Sequence, residues 1–439
     1  MFGYTMISEA DVQTCPFPPQ CECHTFGVLQ EYCQGKGFTN IPNLTASSYN
    51  GTWFVDLSDN NIALLAANTF KNIKLDTLWL SNNNIIYIDI QSFSGSENTL
   101  QSLHLRGNQL ISLPITLTRL SKLSDLQVHY NPMKDLDTKI LMNVSTNLKK
   151  LSFGSINMTK WPTSIMGLNK LMELSVYNVS MDSFPVNAFE GLEDSLMFLQ
   201  IESTNISRLP VSINKLSKLF TVLINYNVNL KVLPEEIFEG LNNIYYIVIQ
   251  GNAFTNISAI YKDSSNIKSF ALQSDYISNI TDAVYPAKMQ PNLYEISLVL
   301  PKLHYVPKAL SNMPSLEKIE MFQANISIIR VGDFSNLPSL ITLELSSNPI
   351  SMVEIEAFAT TQSLQVLNLR YTKLRTVPEA IKKIRLYSID LTGSNVICTC
   401  GGLGWMKQWP TRNSTFISGE CTNLNIPIYE FQMKYIPKC

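Results

Sequence analysis

A spaced apolar pattern recurs along almost the whole chain. The spacing LxxLxLxxNxL begins plainly at Leu75 and again at Leu100. Leucines at alternate positions point to one side of a short strand. Each copy therefore predicts one strand of a parallel sheet, and the residues that follow it return along the opposite side of the core.

Fifteen copies of this pattern follow one another. The first ten begin alternately 23 and 25 residues apart, a register that a chance apolar pattern would not hold. One copy cannot bury its own leucines, so neighbouring copies must stack. The copies begin at Thr52, Leu75, Leu100, Leu123, Leu148, Leu171, Leu196, Leu219, Ile244, Ile267, Leu293, Leu316, Leu340, Leu364 and Leu386.

The segment after the strand differs between copies. Most of the shorter copies end in a proline segment and most of the longer ones in a phenylalanine segment, which predicts an ancestral pair of about 48 residues. The prolines are Pro114, Pro162, Pro210 and Pro307, and the phenylalanines are Phe93, Phe189, Phe238 and Phe334. We predict an α/β repeat, a solenoid curved as a horseshoe, with the parallel sheet on its concave face and little helix.

The ninth position of the repeat usually carries asparagine, whose amide can bond backbone groups of adjacent turns. Asp275, Thr204, Thr372 and Ser394 are expected to stand in for it. Four copies lack a suitable side chain, so the ladder should break twice, at Ile156, Val179, Pro301 and Ala324. Either a redundant array tolerates this drift, or curvature changes there to shape a binding surface.

The eight cysteines form two groups of four at the ends of the chain: Cys15, Cys21, Cys23 and Cys33, then Cys398, Cys400, Cys421 and Cys439. An even count in this arrangement predicts disulfide-closed caps over the open ends of the array. A zinc site is the weaker interpretation, because neither group has paired CxxC knuckles. Each group allows three pairings.

Sequons for N-glycosylation favour the secretory route. They stand at Asn43, Asn50, Asn143, Asn157, Asn178, Asn205, Asn256, Asn279, Asn325 and Asn413. Asn157, Asn205 and Asn325 hold the tenth repeat position and Asn256 and Asn279 the thirteenth, so we expect glycans on the flank after the strand. The first three could instead be shifted ladder residues, buried and unmodified.

The two cysteine groups resemble the caps of extracellular leucine-rich-repeat proteins. CPFPPQCECHTFGVLQEYC resembles the N-terminal cap, and CTCGGLGWMKQW with Cys421 and Cys439 resembles the C-terminal cap. Toll-like receptors, Slit-type guidance proteins, glycoprotein-hormone-receptor ectodomains, variable lymphocyte receptors and small proteoglycans share these features. The resemblance implies the pairs Cys15–Cys23, Cys21–Cys33, Cys398–Cys421 and Cys400–Cys439, with Trp405 and Trp409 filling the second cap.

The resemblance covers residues 15–439 and implies binding of a protein, glycan or lipid on the concave face or a flank. The expected boundaries are an N-terminal extension at 1–14, a cap at 15–51, the repeat array at 52–385, and the last repeat with its cap at 386–439. We interpret the absence of a visible signal peptide as a mature or trimmed start. Cys439 is expected to mark a domain edge, after which a stalk, a membrane span or a further domain could follow.

Charge and hydropathy exclude some partners. The formal net charge is −2, which gives no electrostatic reason to expect nucleic acid or an anionic membrane. No stretch reaches the roughly 18–20 apolar residues that a membrane helix needs. Any membrane attachment would therefore need a segment outside this chain, and we expect an extracellular protein, either secreted or a cell-surface ectodomain.

The sequence offers no catalytic constellation. The histidines are His24, His104, His129 and His304. His104 and His129 both fall on the concave face, but two histidines in neighbouring repeats do not make a catalytic triad. P-loop, GxSxG, HExxH and glycine-rich dinucleotide motifs are absent. Acidic concave residues such as Glu320 and Glu344 are interpreted as solvated or partner-facing. We predict a binding protein without catalytic activity, cofactor or metal.

Concave-facing positions become apolar and aromatic in the middle of the array. They are Phe198, Phe220, Leu223, Tyr226, Tyr245, Tyr246, Val248, Tyr294 and Val299. A contiguous exposed apolar patch usually marks an interface; the alternative is that these rings only pack on one another along the sheet. Two functions remain: a recognition or adhesion ectodomain with its partner on this patch, or a matrix component that self-associates or decorates a larger assembly.

Overall fold

The computed structural model describes residues 15–24, 29–42, 44, 51–234, 236–255, 266–280, 292–409 and 416–439. The chain divides into two compact units, Met1–Ile206 and Ser207–Cys439. Each unit is a stack of turns in which one short strand alternates with a returning segment.

The first unit begins with an antiparallel hairpin, and the parallel ladder starts from its second strand. Seven of its strands are those predicted from the repeat, β3, β5 and β7 to β11, and each pairs with the next of them in parallel. The strands are β1 Glu22–His24, β2 Leu29–Tyr32, β3 Thr52–Asp56, β4 Leu64–Leu65, β5 Lys74–Trp79, β6 Tyr87–Ile88, β7 Ser102–His104, β8 Asp125–Gln127, β9 Lys150–Phe153, β10 Glu173–Tyr177 and β11 Phe198–Glu202, and the one α-helix described here is α1 Thr138–Val144.

The second unit continues the pattern with eight repeat strands, β12 to β16, β18, β20 and β21, again paired in parallel. Its strands are β12 Thr221–Asn225, β13 Tyr246–Gln250, β14 Ser269–Gln273, β15 Glu295–Val299, β16 Lys318–Glu320, β17 Ile328–Ile329, β18 Thr342–Glu344, β19 Met352–Val353, β20 Val366–Asn368, β21 Ser388–Asp390, β22 Phe416–Ser418, β23 Glu420–Cys421 and β24 Ile426–Pro427, and its α-helices are α2 Cys400–Leu403 and α3 Ile428–Lys434. Fifteen repeat strands therefore stand where the sequence places them.

The two kinds of returning segment differ in backbone form. Pro114, Pro162 and Pro210 each precede a short 3-10 helix, with φ of −63°, −71° and −74°. Proline suits this position because its fixed φ matches the helix and no amide hydrogen is lost from the ladder. The 3-10 helices are Ile115–Arg119, Thr163–Gly167, Val211–Lys215, Lys308–Asn312, Glu379–Ile381, Gly404–Gln408 and Ile436–Lys438.

The phenylalanine segments place their rings in the core instead. Phe93, Phe189, Phe238 and Phe334 are buried, as the alternation predicts. Where two such turns are adjacent the rings stack, as for Phe334 and Phe358, whose centroids lie 5.9 Å apart. The leucines at the inward positions of the repeat strands form the opposite wall of the same core and are almost completely buried.

Asparagine forms a ladder between adjacent turns. Asn108 Nδ2 donates to the carbonyl oxygens of Leu80 at 2.9 Å and Leu105 at 3.1 Å, while its Oδ1 accepts from Ile85 N at 2.9 Å. Asn60, Asn83, Asn131 and Asn348 repeat this arrangement. These bonds satisfy backbone groups that the turns would otherwise bury unpaired.

Interrupted positions use other side chains. The prediction that Asp275 stands in for asparagine is wrong: Asp275 is exposed, and the preceding Ser274 is buried with its hydroxyl donating to Phe254 O at 2.9 Å. A short hydroxyl reaches the adjacent turn from one position earlier, whereas a carboxylate has no hydrogen to donate to a carbonyl. Thr372 and Ser394 do stand in, joined by a 2.8 Å bond.

Disulfides close both ends of the chain. The pairs are Cys15–Cys23, Cys21–Cys33, Cys398–Cys421 and Cys400–Cys439, the same pairs that the family resemblance implies. Trp409 is buried in the second cap, where its Nε1 donates to Ile384 O at 2.9 Å, while Trp405 beside it is half-buried. Helices in the described parts of the chain are all too short or too polar to cross a membrane.

Candidate binding surface

Parallel register aligns the outward-facing side chains of the second unit into rows. Thr221, Tyr246, Ser269 and Glu295 are direct neighbours in one row of β12 to β15. The next outward row of the same strands contains Leu223, Val248, Ala271 and Ser297. A residue directly before each strand adds a further row, and this is where Phe220, Tyr245 and Tyr294 lie.

Four rings of these rows meet on the outward face, and we call Phe220, Tyr245, Tyr246 and Tyr294 the aromatic cluster. Phe220 and Tyr245 stack with centroids 4.9 Å apart, and Tyr245 and Tyr246 lie 4.6 Å apart at a tilt. The phenol oxygens of Tyr246 and Tyr294 are 3.5 Å apart. Phe220 retains 39% of its surface in solvent, so the cluster is packed internally yet open on its outer side.

The phenol of Tyr294 in the aromatic cluster remains protonated at neutral pH. The hydrogen bond with Tyr246, burial, and the nearby charges raise the pKa of Tyr294 above its ordinary value. A neutral phenol presents both a donor and an acceptor beside an apolar ring. The cluster can therefore take apolar groups on its rings and polar groups at its edge.

Other residues of the predicted patch have different positions. Leu223 and Val248 are half-buried register neighbours beside the cluster. Tyr226 is 51% exposed in the turn after β12, next to Gly251, and Phe198 is half-buried on β11 of the first unit. The expectation for Val299 is wrong, because its side chain is buried.

The row that contains Val299 explains that error. Val299 is the last residue of β15, and Asn225, which holds the same position of β12, is buried too. His129 at the corresponding position of the first unit is also buried. The strand passes into its turn at this row, and the side chains of these three copies are covered there, whereas Gln250 and Gln273 at the same position of β13 and β14 are half-buried.

A second aromatic row, missed from the sequence, lies on the outward face of the first unit. Phe54 packs edge-on against Trp79 at 4.9 Å, and Trp79 stacks on His104 at 5.1 Å. Tyr32 of the N-terminal cap lies 5.5 Å from Phe54 and extends the row. The available signal was that aromatic rings occupy outward positions in consecutive repeats; a β-bulge beside Phe54 obscures their alignment.

A serine, a histidine and an aspartate meet next to this row. Ser102 Oγ lies 3.1 Å from His104 Nε2, and Asp125 Oδ2 lies 3.2 Å from the same nitrogen. A charge-relay triad needs the carboxylate on one ring nitrogen and the hydroxyl on the other. The three side chains form a local polar network and lack the arrangement for activating the hydroxyl.

His129 lies in the turn that follows β8, and its side chain is buried. Its ring stacks on Tyr177 with centroids 4.3 Å apart, and Gly154, which directly follows the intervening strand β9, holds the repeat position between them. Burial, and then the charges of Arg106 and His104, lower the pKa of His129 to about 3. The ring is therefore neutral at physiological pH and acts as a packing group.

The N-terminal cap contains a buried carboxyl group. Glu31 on β2 has no exposed surface and no hydrogen-bond partner among the described residues. Burial raises its pKa to about 7. Its oxygens lie near the sulfurs of Cys15, Cys23, Cys21 and Cys33, but these sulfurs are disulfide-bonded, so no thiolate is available for a metal.

Six sequon asparagines belong to the described residues. Asn143, Asn157, Asn205, Asn279 and Asn325 are exposed, and Asn178 is half-buried. Asn157, Asn205 and Asn325 are thus exposed rather than buried, and Asn157 Nδ2 donates to Pro132 O of the preceding turn at 3.2 Å. Asn43, Asn50, Asn256 and Asn413 lie outside the described residues.

Known proteins resemble this chain in fold. The family model for the leucine-rich repeat matches residues 340–397, and no curated protein matches the chain. A leucine-rich-repeat protein of Leptospira interrogans is 21% identical with a TM-score of 0.65, covering 86% of this chain and 94% of that one. The Drosophila Toll–Spatzle complex gives 15% identity and 0.63, covering 91% and 66%.

A further match is the mouse RP105/MD-1 complex, at 15% identity and a TM-score of 0.57, covering 87% of this chain and 74% of that one. At these identities the likeness concerns the fold alone. Together with the repeat register, the leucine core and the terminal disulfides, it shows that the chain is a leucine-rich-repeat solenoid of about fifteen turns with disulfides at both ends.

Proposed function

We propose that this chain is an extracellular recognition module that binds a protein partner through the outward face of its sheet and catalyses no reaction. The aromatic cluster is the observation that carries the proposal. Large rings grouped on a solvent-facing sheet are typical anchors of protein interfaces, because they bury much area at a small cost in side-chain entropy.

The similar folds support a protein partner. Three of the matched structures are complexes of Toll with Spatzle, of RP105 with MD-1, and of the plant peptide hormone receptor RGFR1 with RGF2. The solenoid is thus a scaffold on which protein and peptide ligands are bound in other proteins. The partner of this chain is inferred from its own aromatic cluster.

An oxidising compartment fits the chemistry of the caps. All eight cysteines are paired, and disulfides persist in secreted and cell-surface proteins rather than in the cytosol. Five exposed sequon asparagines are open to a glycosyltransferase. We therefore place the protein outside the cell, with N-glycans on the flank after the strands.

The test compares partner capture by three forms of the glycosylated chain from an extract of the source tissue. We expect Tyr246→Asp with Val248→Asp to fold normally and to lose the partner that the native chain captures. Both side chains are half-buried and outward-facing, so two carboxylates would place charge inside the interface without entering the core. Quantitative mass spectrometry measures the captured protein.

Gln127→Asp with Ser152→Asp is the matched control, since these residues are outward register neighbours in the first unit. The control should retain the partner. Equal capture by all three forms would exclude the aromatic cluster as the binding site. Capture of only a glycan or a lipid would show that the partner is not a protein. Concentration-dependent self-association lost with the first pair would instead support a matrix component.

A further inference from the structure

Beside the aromatic cluster, the outward face of the second unit is acidic. Across β15, β16, β18, β20 and β21, the outward positions on and within two residues of the strands bear five carboxylates and two cations. The carboxylates are Glu295, Glu317, Glu320, Glu344 and Asp390, and the cations are Lys318 and Arg370. We call this set the acidic strip; Glu295 joins it to the cluster, because Glu295 directly follows Tyr294.

The cations of the acidic strip are already paired within it. Lys318 Nζ lies 2.7 Å from Glu295 Oε1 and 2.7 Å from Glu320 Oε1, and these bonds raise the pKa of Lys318. Arg370 Nε lies 3.7 Å from Asp390. Glu317 is exposed beside them, so the strip retains net negative charge that nearby side chains do not neutralise.

Three tyrosines elsewhere in the chain, the half-buried Tyr130 and the exposed Tyr276 and Tyr371, lie against cations. Arg or Lys groups lie 5.4–5.6 Å above the three rings: Arg106 over Tyr130, Lys302 over Tyr276 and Arg370 over Tyr371. A cation over a tyrosine face gains electrostatic energy from the ring. Among the described residues, no cation of the chain lies over the tyrosines of the aromatic cluster. Lys268 holds the row position between Tyr245 and Tyr294, but its Nζ donates to Asn292 Oδ1 at 3.2 Å.

We infer that the aromatic cluster and the acidic strip together bind a basic segment of a protein partner, with arginine or lysine side chains lying on the tyrosines and their charged groups on the carboxylates. The inference rests on the proposed function and specifies its partner. Arginine fits best, because its planar group stacks on rings and bonds carboxylates in pairs. An acidic or strongly anionic partner would meet repulsion along the strip.

The probe is a fluorescein-labelled twelve-residue peptide of alternating arginine and serine, with a glutamate–serine peptide of equal length beside it. Fluorescence anisotropy at low ionic strength measures Kd for the intact, disulfide-bonded chain. We expect the arginine peptide to bind and the glutamate peptide not to bind. Glu317→Gln with Glu320→Gln should weaken binding about fivefold, since two surface ion pairs are lost.

Glu236→Gln with Glu239→Gln is the matched control, because both carboxylates are exposed in the returning segment of the same unit and the net charge changes equally. The control should stay within about twofold of the native Kd. The charge reversal Glu317→Lys, at an exposed position, provides a second variant should the glutamine pair fold poorly, and we expect it to weaken binding more. Equal weakening by the control, or equal binding of both peptides, would overturn the inference.

Aromatic contact is tested separately. Tyr245→Ser with Tyr246→Ser should weaken binding of the arginine peptide without changing the net charge of the chain. An unchanged Kd would show that no cation–ring contact contributes to binding. If tissue capture is lost with Tyr246→Asp and Val248→Asp but survives Glu317→Gln with Glu320→Gln, the proposed function stands and the basic partner is rejected. If capture survives both pairs, the proposed function fails as well.

Discussion

Gly154 sets the packing of the outward face in the first unit. Its φ is +140°, and a Cβ at this position would lie 1.7 Å from Tyr177 O. The rings of His129 and Tyr177, from the strands on either side, approach to 4.3 Å because no side chain stands between them. The residue thus combines a strained backbone with a space that only glycine leaves open.

We predict that Gly154→Ala lowers the free energy of unfolding by about 3 kcal/mol or more, since the backbone must shift to relieve a clash with backbone atoms. Gly95→Ala is the control: its φ is +93°, but a Cβ would meet only Lys71 O at 3.6 Å. The control should lose about 1–2 kcal/mol, from the left-handed backbone alone. Urea unfolding followed by circular dichroism measures both, and equal losses would contradict the steric explanation.

Glu31 makes the N-terminal cap sensitive to pH. The pKa of this carboxyl is raised by burial from an ordinary 4.5 to about 7 in the folded chain. Between these values the folded state binds the proton more tightly than the unfolded state. Glu31 therefore destabilises the fold least below pH 4.5, where it is protonated in both states. This advantage is lost as the pH rises through about 7 and the buried carboxyl ionises.

We predict that Glu31→Gln raises the stability of the cap at pH 7.5 by about 2–3 kcal/mol and leaves it nearly unchanged at pH 4.5. Glu22→Gln, an exposed carboxylate on the same hairpin, should have little effect at either pH. Amide hydrogen exchange of β2 at several pH values measures the difference. A gain that is the same at both pH values would show that ionisation is not its cause.

At the scale of the element, the repeat strand depends on the asparagine ladder as much as on its leucines. Asn108 satisfies two carbonyls and one amide of its own and the preceding turn. Removing the side chain would leave the buried Ile85 N unpaired, at a cost of about 1–3 kcal/mol. The carbonyl oxygens of Leu80 and Leu105 would still accept from Asn83 and Asn131. Ile156 holds the same repeat position and is 66% exposed.

We predict that Asn108→Ala destabilises the chain by about 1–3 kcal/mol and that Ile156→Ala changes stability by less than about 0.5 kcal/mol. The pair compares one position of the repeat in a continuous and in an interrupted part of the ladder. Chemical unfolding of both variants measures the difference. A similar loss for both would mean that Ile156 contributes to the core.

The strands and the two kinds of returning segment could be read from the sequence because leucine, proline and phenylalanine determine them locally. Which outward-facing side chains are exposed was harder to predict from the sequence. Val299 was expected outside because alternation places it there, yet the strand end covers it. The row of Phe54, Trp79 and His104 escaped notice because its alignment depends on a β-bulge that no repeat consensus contains.

At the scale of the whole molecule, repeats that contain a sequon can be distinguished from repeats that contain none. Asn157, Asn205, Asn279 and Asn325 are exposed, while no sequon occurs between Trp53 and Met142. Glycans are bulky and hydrated, so they keep protein contacts away from the places where they stand. The first repeats, with their own aromatic row, are therefore the longest stretch without a sequon.

We predict that site-resolved glycopeptide analysis of the secreted protein finds glycans at Asn157, Asn205, Asn279 and Asn325. Enzymatic removal of these glycans should leave binding through the aromatic cluster unchanged, because the cluster lies on the sheet and the asparagines follow it. Unmodified asparagine at all four positions would refute the glycan flank. Lost binding after removal would place the partner on the glycans.

The positions of the tryptophans give the molecule an optical division. Trp53, Trp79 and Trp161 belong to the first unit, Trp405 and Trp409 to the C-terminal cap, and the aromatic cluster consists of tyrosine and phenylalanine. Tryptophan emission therefore reports the melting of the first unit and of the last cap, and is almost blind to the residues proposed to bind. A variant of the cluster that unfolds the first unit or the last cap would therefore change tryptophan emission, whereas a variant that only loses its partner would leave that emission unchanged.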